Sequence, residues 1–534
     1  MDLHDSNLNS SPEPTPSLSP QNMLARYRRA LKHRQPWQSH WHECYEFALP
    51  RRQGDLAAAQ PGAKLYDRLF DGTAPDAVEQ LAASLLSELT PPWGQWFGLV
   101  AGPDLEAADA DDLGGEFERI SRILKSNFDR SNFVVEMHQC YLDLVTAGTA
   151  SLLLEETGSG EQSAFRFTAI PLSQLVLEES PSGRLDTTYR RSDLTRSQII
   201  ARFPSAQLPD SAKAPDTVEE EHTYAVIEAV IPNATGSYQY LAVLQSDHSN
   251  TAPVQLAEGI FRHSPFINFR WLKAPGEIYG RSPVMKALPD IKTANKVVEL
   301  ILKNASIAVT GIWQADDDGV LNPANIRLVP GTIIPKAVGS AGLTPLQAPG
   351  RFDISELVLD RLRQGIRRAL LADKLGQVDA PRMSATEVLE RSAEMARLLG
   401  ATYGRLQAEL LMPLVSRSMA ILKRRGEIED ITIDGRIIDL EYRSPLARQN
   451  ARREASGVLQ WLETLKALGP EALGAVDNDA TARWLANAFS VPGELLVKAT
   501  TGFGPTFGDD LIEELATTLD QLTEPPKPET RHEQ

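Results

Sequence analysis

Two amphipathic segments separated by a long gap limit the folds open to this chain more than any other feature. Within residues 281–308, Ala294, Val297, Val298, Ile301 and Ala305 recur at helical spacing, and within 351–373 Leu359, Leu362, Ile366 and Ala369 repeat the pattern. Each segment therefore predicts a helix with one apolar face to cover, and the two are expected to cover each other. The residues between them, 309–350, carry Gly and Pro around short apolar pieces (GIWQ, IRLVPGTIIPK). A gap of roughly forty residues is far longer than a helix-to-helix turn needs. The pattern predicts a small strand-containing module held out on a helix pair.

The rest of the chain is organised around that pair. Residues 23–92 read as helix, with two long runs each stopped by proline, and 116–147 add further helix. The period then changes: SLLLEE, FRFTAIPL, QLVLEE, HTYAVIEAVI, YLAVLQ and FINFRWL are short runs rich in aromatic and β-branched residues between Gly, Ser, Pro and Asp clusters, the pattern of strands. One helix, TRSQIIARF, interrupts them, with Thr195 and Gln198 placed for a capping box. After the second segment of the pair, Ser384 and Glu387 are spaced for another capping box. The helix they start runs to about Leu422, roughly 60 Å at about 1.5 Å per residue. A hairpin around Asp434-Gly435 is expected next, then helix over 447–520. Residues 1–22 and 521–534, rich in Ser, Pro and polar residues, are expected to be disordered tails. The fold class is α+β.

The chain has 534 residues, enough for several domains, and 42% hydrophobic residues, enough to bury a core. No stretch reaches the roughly 18 apolar residues of a membrane span, and the first residues lack the basic and apolar regions of a signal peptide, so a cytoplasmic setting without membrane contact is expected. Lys and Arg number 54 against 71 for Asp and Glu, a net charge of −17. That balance argues against tight, phosphate-neutralising nucleic-acid binding as the main task. It leaves open a surface that a polyanion slides past.

Residues that commonly carry chemistry are not clustered. GEIYGRS at 276–282 has the wrong spacing for a phosphate loop, with Arg281 where the lysine belongs. The acidic run 109–118 fails as a calcium loop because Leu113 and Ile120 occupy ligand positions. His40 and Cys44 lie one turn apart with His42 nearby, a spacing that suits a metal, yet Trp37, Trp41, Tyr45 and Phe47 make this an aromatic packing helix. Cys44 and Cys140 read as buried small residues. No nucleophile elbow or metalloprotease motif occurs. The expectation is no catalytic residue, no metal and no cofactor. Ser384 and Glu387 are read as a structural helix cap. Lys292, Lys296 and Lys303 fall within roughly 40° on a helical wheel with Glu299 among them, which reads either as a solvated face or as a weakly basic stripe beside a passing polyanion.

Four segments together, WQSHWHECYEFALPRR, LYDRLFDGTAPDAVEQLAASLLSELTPP, PGEIYGRSPVMKALPDIKTANK and PRMSATEVLERSAEMARLLG, resemble the head-to-tail connecting, or portal, proteins of short-tailed bacteriophages, in order and spacing, from about residue 24 to about 450. The resemblance implies a portal-type fold and a dodecameric homo-oligomeric ring at one capsid vertex, made in the host cytoplasm, with a channel for double-stranded DNA read without sequence specificity. It implies partners: major capsid and scaffolding proteins, the terminase large subunit during packaging, and tail adaptor proteins afterwards. It implies regions too: a wing over 23–280, stem helices over 281–308 and 351–373, a clip over 309–350, a channel loop over 374–383, a long helix over 384–424, a hairpin returning to the wing over 425–446, and a crown over 447–520. On that scheme Lys292, Lys296, Lys303, Lys374 and Arg382 are expected to face the DNA channel. A ring interface would also cover helices that look under-buried alone. The competing readings are a head-tail adaptor without a channel, which should lack the helix, gap, helix insertion, and a hydrolase, which should show a clustered acid, base and nucleophile.

Overall fold

The computed structural model describes residues 19–50, 65–208, 222–245, 253–310, 313–315, 343–345, 352–372, 400–429, 438–469 and 474–489, apart from a few single positions within these ranges. The chain enters on α1 (Pro20–Ala48), whose start is capped by the Ser19 side chain accepting from the Asn22 N–H. α2 (Thr73–Leu89) follows. Both end just short of a proline, as expected, although Pro36 is carried inside α1. After the short β1 (Phe97–Ala101), α3 (Ala107–Arg130) begins earlier than its apolar pattern indicated and takes in the acidic run. α4 (Phe133–Ala147) ends on Gly148, whose φ of 78° is a left-handed C-terminal cap.

Strands then dominate: β2 (Thr149–Glu156), β3 (Phe165–Ala169), β4 (Leu175–Glu178), β5 (Thr187–Thr195), β6 (Thr223–Pro232), β7 (Tyr238–Leu244), β8 (Val254–Phe261) and β9 (Phe266–Arg270). β4 to β8 form a five-stranded antiparallel sheet in chain order, and β2 is the centre of a three-stranded sheet between β3 and β9. Between β5 and β6, α5 (Arg196–Arg202) carries the complete capping box of Thr195 and Gln198 that its sequence predicts. β5 and β8 do not follow from apolar pattern. β5 reads TTYRRSDLT, and its charges are accommodated because Arg190 reaches Glu228 on β6, 3.7 Å away.

The helix pair is α6 (Pro283–Thr310) and α7 (Phe352–Ala369), with β10 (Trp313–Ala315) and β11 (Leu343–Pro345) paired antiparallel between them. Ile291, Ala294, Leu359, Ile366 and Leu370 are buried in one core, with Val297, Val298, Ile301 and Leu362 packed against it. A π-helical turn (Gln407–Leu411) leads into α8 (Met412–Arg424). It sits just before Pro413, whose ring would crowd the Glu409 carbonyl in an unbroken α-helix, and the wider turn relieves that. β12 (Ile438–Tyr442) pairs with β1 across more than half the chain, in register Phe97↔Tyr442. α9 (Pro445–Leu468) and α10 (Asn478–Ala488) end the described chain.

One large core joins α2, α3, α4, the three-stranded sheet, the helix pair and α8. The five-stranded sheet is covered on one face by the first half of α1, where Met23 and Tyr27 meet Tyr189 and Ile227, and on the other by Ile199 and Phe203 against Val226. Neighbouring residues of β6 thus serve opposite faces, as strand periodicity requires. Lys374, Arg382, Ser384, Glu387, the Asp434-Gly435 turn and both termini lie outside the described residues.

Candidate functional site

Three of the four segments quoted above meet at the root of the helix pair. The GEIYGRS stretch crosses the end of α4 so closely that a Cβ on Gly280 would stand 2.1 Å from the Gly148 carbonyl oxygen, and one on Gly148 would stand 2.4 Å from that of Gly280. The Gly280 N–H donates to Thr149 Oγ1 at 2.8 Å. Ser282 Oγ donates to the Thr146 carbonyl at 2.8 Å and accepts from the Met285 N–H at 2.9 Å, so it ties α4 to the start of α6. These glycines allow backbone to pass backbone, which is a different task from surrounding a phosphate.

The aromatic helix closes over this crossing. Trp41 packs edge-on against Tyr279 at 5.0 Å between ring centres, and the Arg281 guanidinium lies 4.6 Å over Trp37. Tyr279 accepts from the Leu177 N–H at 3.1 Å, and burial pushes its phenol up to about 12. Burial likewise raises the Cys44 thiol to about 12, with Glu43 adding to it, and lowers His40, with the Arg281 cation adding to it. These are the shifts of a packing helix, and among the described residues no group of three or more His, Cys, Asp or Glu is placed to hold a metal.

A second clasp joins both helices of the pair to α2. Asn295 Oδ1 accepts from the N–H groups of Phe70 (2.6 Å) and Asp71 (3.1 Å), while its Nδ2 donates to the Arg68 carbonyl (2.9 Å). Asp71 accepts from the Thr73 N–H at 3.0 Å and from Arg363 Nε of α7 at 2.8 Å. Burial acts to raise the Asp71 carboxyl, but the bonds from Thr73 and Arg363 outweigh it and hold it below the usual range.

The predicted lysine stripe on α6 is exposed and engaged. Lys292 meets Glu43 of α1 at 3.0 Å, while Lys296 and Lys303 meet Glu299 at 2.9 and 2.6 Å. Bonds from Lys303 and then Lys296 hold the Glu299 carboxyl low. The stripe therefore carries cations on solvent-facing side chains with acids interleaved.

Sequence reading missed Arg270. Its side chain is 0% exposed. It bonds Glu409 at 2.7 Å, Glu179 at 3.1 Å, the Gly183 carbonyl at 3.0 Å and the Ile278 carbonyl at 3.1 Å. Lys273 joins at Glu179, and Arg405 joins at Glu409 (3.2 Å). The π-helical turn, the strand β9 and the Gly-rich crossing are thus held by one guanidinium. The available signal was a cation inside the apolar run FINFRWL.

These side chains attach helices and strands to one another, and the arrangement is a joint at the root of the α6–α7 pair. Residues 21–496 match the family model described as bacteriophage head to tail connecting protein, and the chain belongs to that family. It is 26% identical over 503 residues to the "Probable portal protein" of Bordetella phage BPP-1, covering 89% of this chain and 88% of that protein. It is 24% identical over 489 residues to the "Portal protein" of Salmonella phage epsilon15, covering 86% and 85%. A solved chain from the "Neck of native GTA particle computed with C12 symmetry" aligns over 78% of this chain and 91% of its own at 11% identity, with a TM-score of 0.33, too low for its architecture to be carried over.

Proposed function

We propose that this chain is the portal protein of a phage: copies close into a dodecameric ring at one capsid vertex, through which double-stranded DNA is packaged and later ejected. The observation that carries the reading is the extent of the likeness, which covers residues 21–496 and most of two relatives that are themselves called portal proteins. The joint supports it, because a pair of helices transmitting load to a broad α and β body needs a stiff root. In this reading residues 23–280 are the wing, 281–308 and 351–373 the stem helices, 309–350 the clip that meets the terminase large subunit and then tail adaptors, 374–383 a channel loop, 384–424 the long helix behind it, 425–446 the return to the wing, and 447–520 the crown. Lys292, Lys296, Lys303, Lys374 and Arg382 face the channel, and Ser384 with Glu387 caps the long helix. The protein performs no reaction of its own, and the motor is a separate terminase. Its partners at the vertex include the major capsid and scaffolding proteins. Among the described residues no helix is long and apolar enough to cross a membrane.

Electron micrographs and native mass measurement of the purified chain test the reading. Rings with a central channel are expected, and a chain that stays monomeric or dimeric over a wide concentration range would refute it.

A further inference from the structure

A cavity of about 270 Å³ opens between the β8–β9 connection and α8. Its charged lining is of one sign, Arg262, Arg417, Lys423 and Arg424, with His263 beside them and, among the described residues, no Asp or Glu in its walls. Phe261, Met419 and Ile421 supply an apolar side. Arg417 is the unusual member, since it is only 5% exposed. Its Nη1 donates to the His263 carbonyl at 2.8 Å and its Nε to the Leu154 carbonyl at 3.4 Å, and the guanidinium lies 4.9 Å over the Phe261 ring. Among the described residues no carboxylate comes within ion-pair distance of it. Glu155 and Glu156 on β2 are the nearby acids, and they are taken by Arg202 and by Arg424 and Arg425. Burial, with the Arg424 cation adding to it, draws Arg417 down to about 10. A buried guanidinium held by carbonyls alone lacks the counter-charge such a group requires, and a carboxylate would fit its planar fork.

The walls indicate what kind of anion this is. A nucleic-acid backbone would leave the apolar side uncovered and would have to approach a chain of net charge −17. A peptide with carboxylates and leucines together covers both halves. The chain carries one, FGDDLIEELATTLDQL at 507–522, with Asp509, Asp510, Glu513 and Glu514 interleaved with Leu511, Ile512, Leu515 and Leu519. We propose that the cavity receives this stretch of the chain, a carboxylate of the acidic group meeting Arg417 and the leucines lying against Phe261 and Met419. Residues 490–506, which join the last described residue to this stretch, can span up to roughly 60 Å when extended.

The test uses the full-length chain with a photo-reactive side chain placed at Ser416, a partly exposed wall residue. Irradiation followed by peptide mass mapping is expected to join position 416 to residues 507–522. The yield should fall about tenfold or more when Arg262→Glu and Lys423→Glu are combined, with an unchanged far-UV spectrum, as expected for loss of a charge-complementary contact. Adding Glu513→Lys and Glu514→Lys to that double variant should restore the yield. Cross-links that form only to other segments, none at all, or transfer of the label to added double-stranded DNA would each overturn the proposal. So would a yield indifferent to the charge reversals.

Discussion

At the scale of single residues, Arg270 is the most consequential side chain in the described structure. Removing it leaves Glu179 with Lys273 and Glu409 with Arg405 as their remaining cations, on side chains only 16% exposed. Breaking a buried ion pair by deleting one partner typically costs about 3–5 kcal/mol. Arg270→Ala should lower the denaturation free energy toward the lower end of that range, about 3 kcal/mol, because Lys273 and Arg405 remain, and Glu409→Gln by less, because Glu179 still faces the guanidinium and the amide oxygen can still accept from it. A loss below about 1 kcal/mol in Arg270→Ala would show that the hub is not structural. Acid should act on the same groups. Burial raises Glu179, but bonds from Lys273 and Arg270 overcome it, so both Glu179 and Asp71 titrate below their ordinary ranges in the fold. A depressed folded-state pKa contributes stability that is complete above the unfolded value, about 4 for these carboxyls, and that is lost as pH falls through the folded value. Glu88, raised by burial alone, works in the opposite direction. Denaturant midpoints should thus decline from about pH 4 downward, and the decline should be shallower in Arg363→Ala, where Asp71 keeps only its bonds from Thr73. An identical slope would remove Asp71–Arg363 from the account.

At the scale of elements, the crossing of Gly148 and Gly280 decides where α6 starts. Gly280→Ala places a methyl group against a carbonyl oxygen that belongs to backbone and cannot turn aside, so α4 and α6 must separate. Overpacking of this kind costs about 1–3 kcal/mol. Ser282→Ala, which removes a helix cap at the same place, should cost about 1 kcal/mol. Thermal or denaturant unfolding of the two variants checks both values; the glycine variant should be the worse, and a smaller loss than in Ser282→Ala would show that the backbone yields where the added Cβ would stand 2.1 Å from the Gly148 carbonyl oxygen. Helices α6 and α7 were legible because their apolar faces repeat with the helical period over several turns. β12 was expected as the second strand of the hairpin around Asp434-Gly435, but β1 was not, since five residues such as FGLVA carry too little pattern, and the pairing of the two joins positions more than three hundred residues apart.

At the scale of the whole molecule, the proposed ring makes two further tests possible. β10 and β11 pair directly, with Ala315 opposite Leu343, so the two chain ends that flank residues 316–342 are neighbours. Replacing them with a short turn should leave rings intact and abolish packaging, whereas packaging and tail attachment at normal levels would remove the docking role from this segment. Lys296→Glu with Lys303→Glu changes side chains that are 62% and 64% exposed, so folding and ring assembly should be unaffected. If the stripe faces the channel, a ring multiplies each reversal by its copy number, and packaging or retention of DNA should fall several-fold. Normal packaging would place the stripe on a solvated outer face.

The local elements and the family were determined by the sequence itself, because helical and strand periods, proline stops and capping pairs such as Thr195–Gln198 depend on neighbours a few residues away. The resemblance rests on ordered segments that need no folding to be compared. What the tertiary structure decided is why those segments are built as they are. Trp41 meets Tyr279, Asn295 meets the Phe70 and Asp71 amides, and Arg270 meets Glu409 only when distant parts of the chain are brought together. A buried charge looks like any surface charge until its partners are in place, since the cost of desolvating it and the bonds that offset that cost both exist only in the fold.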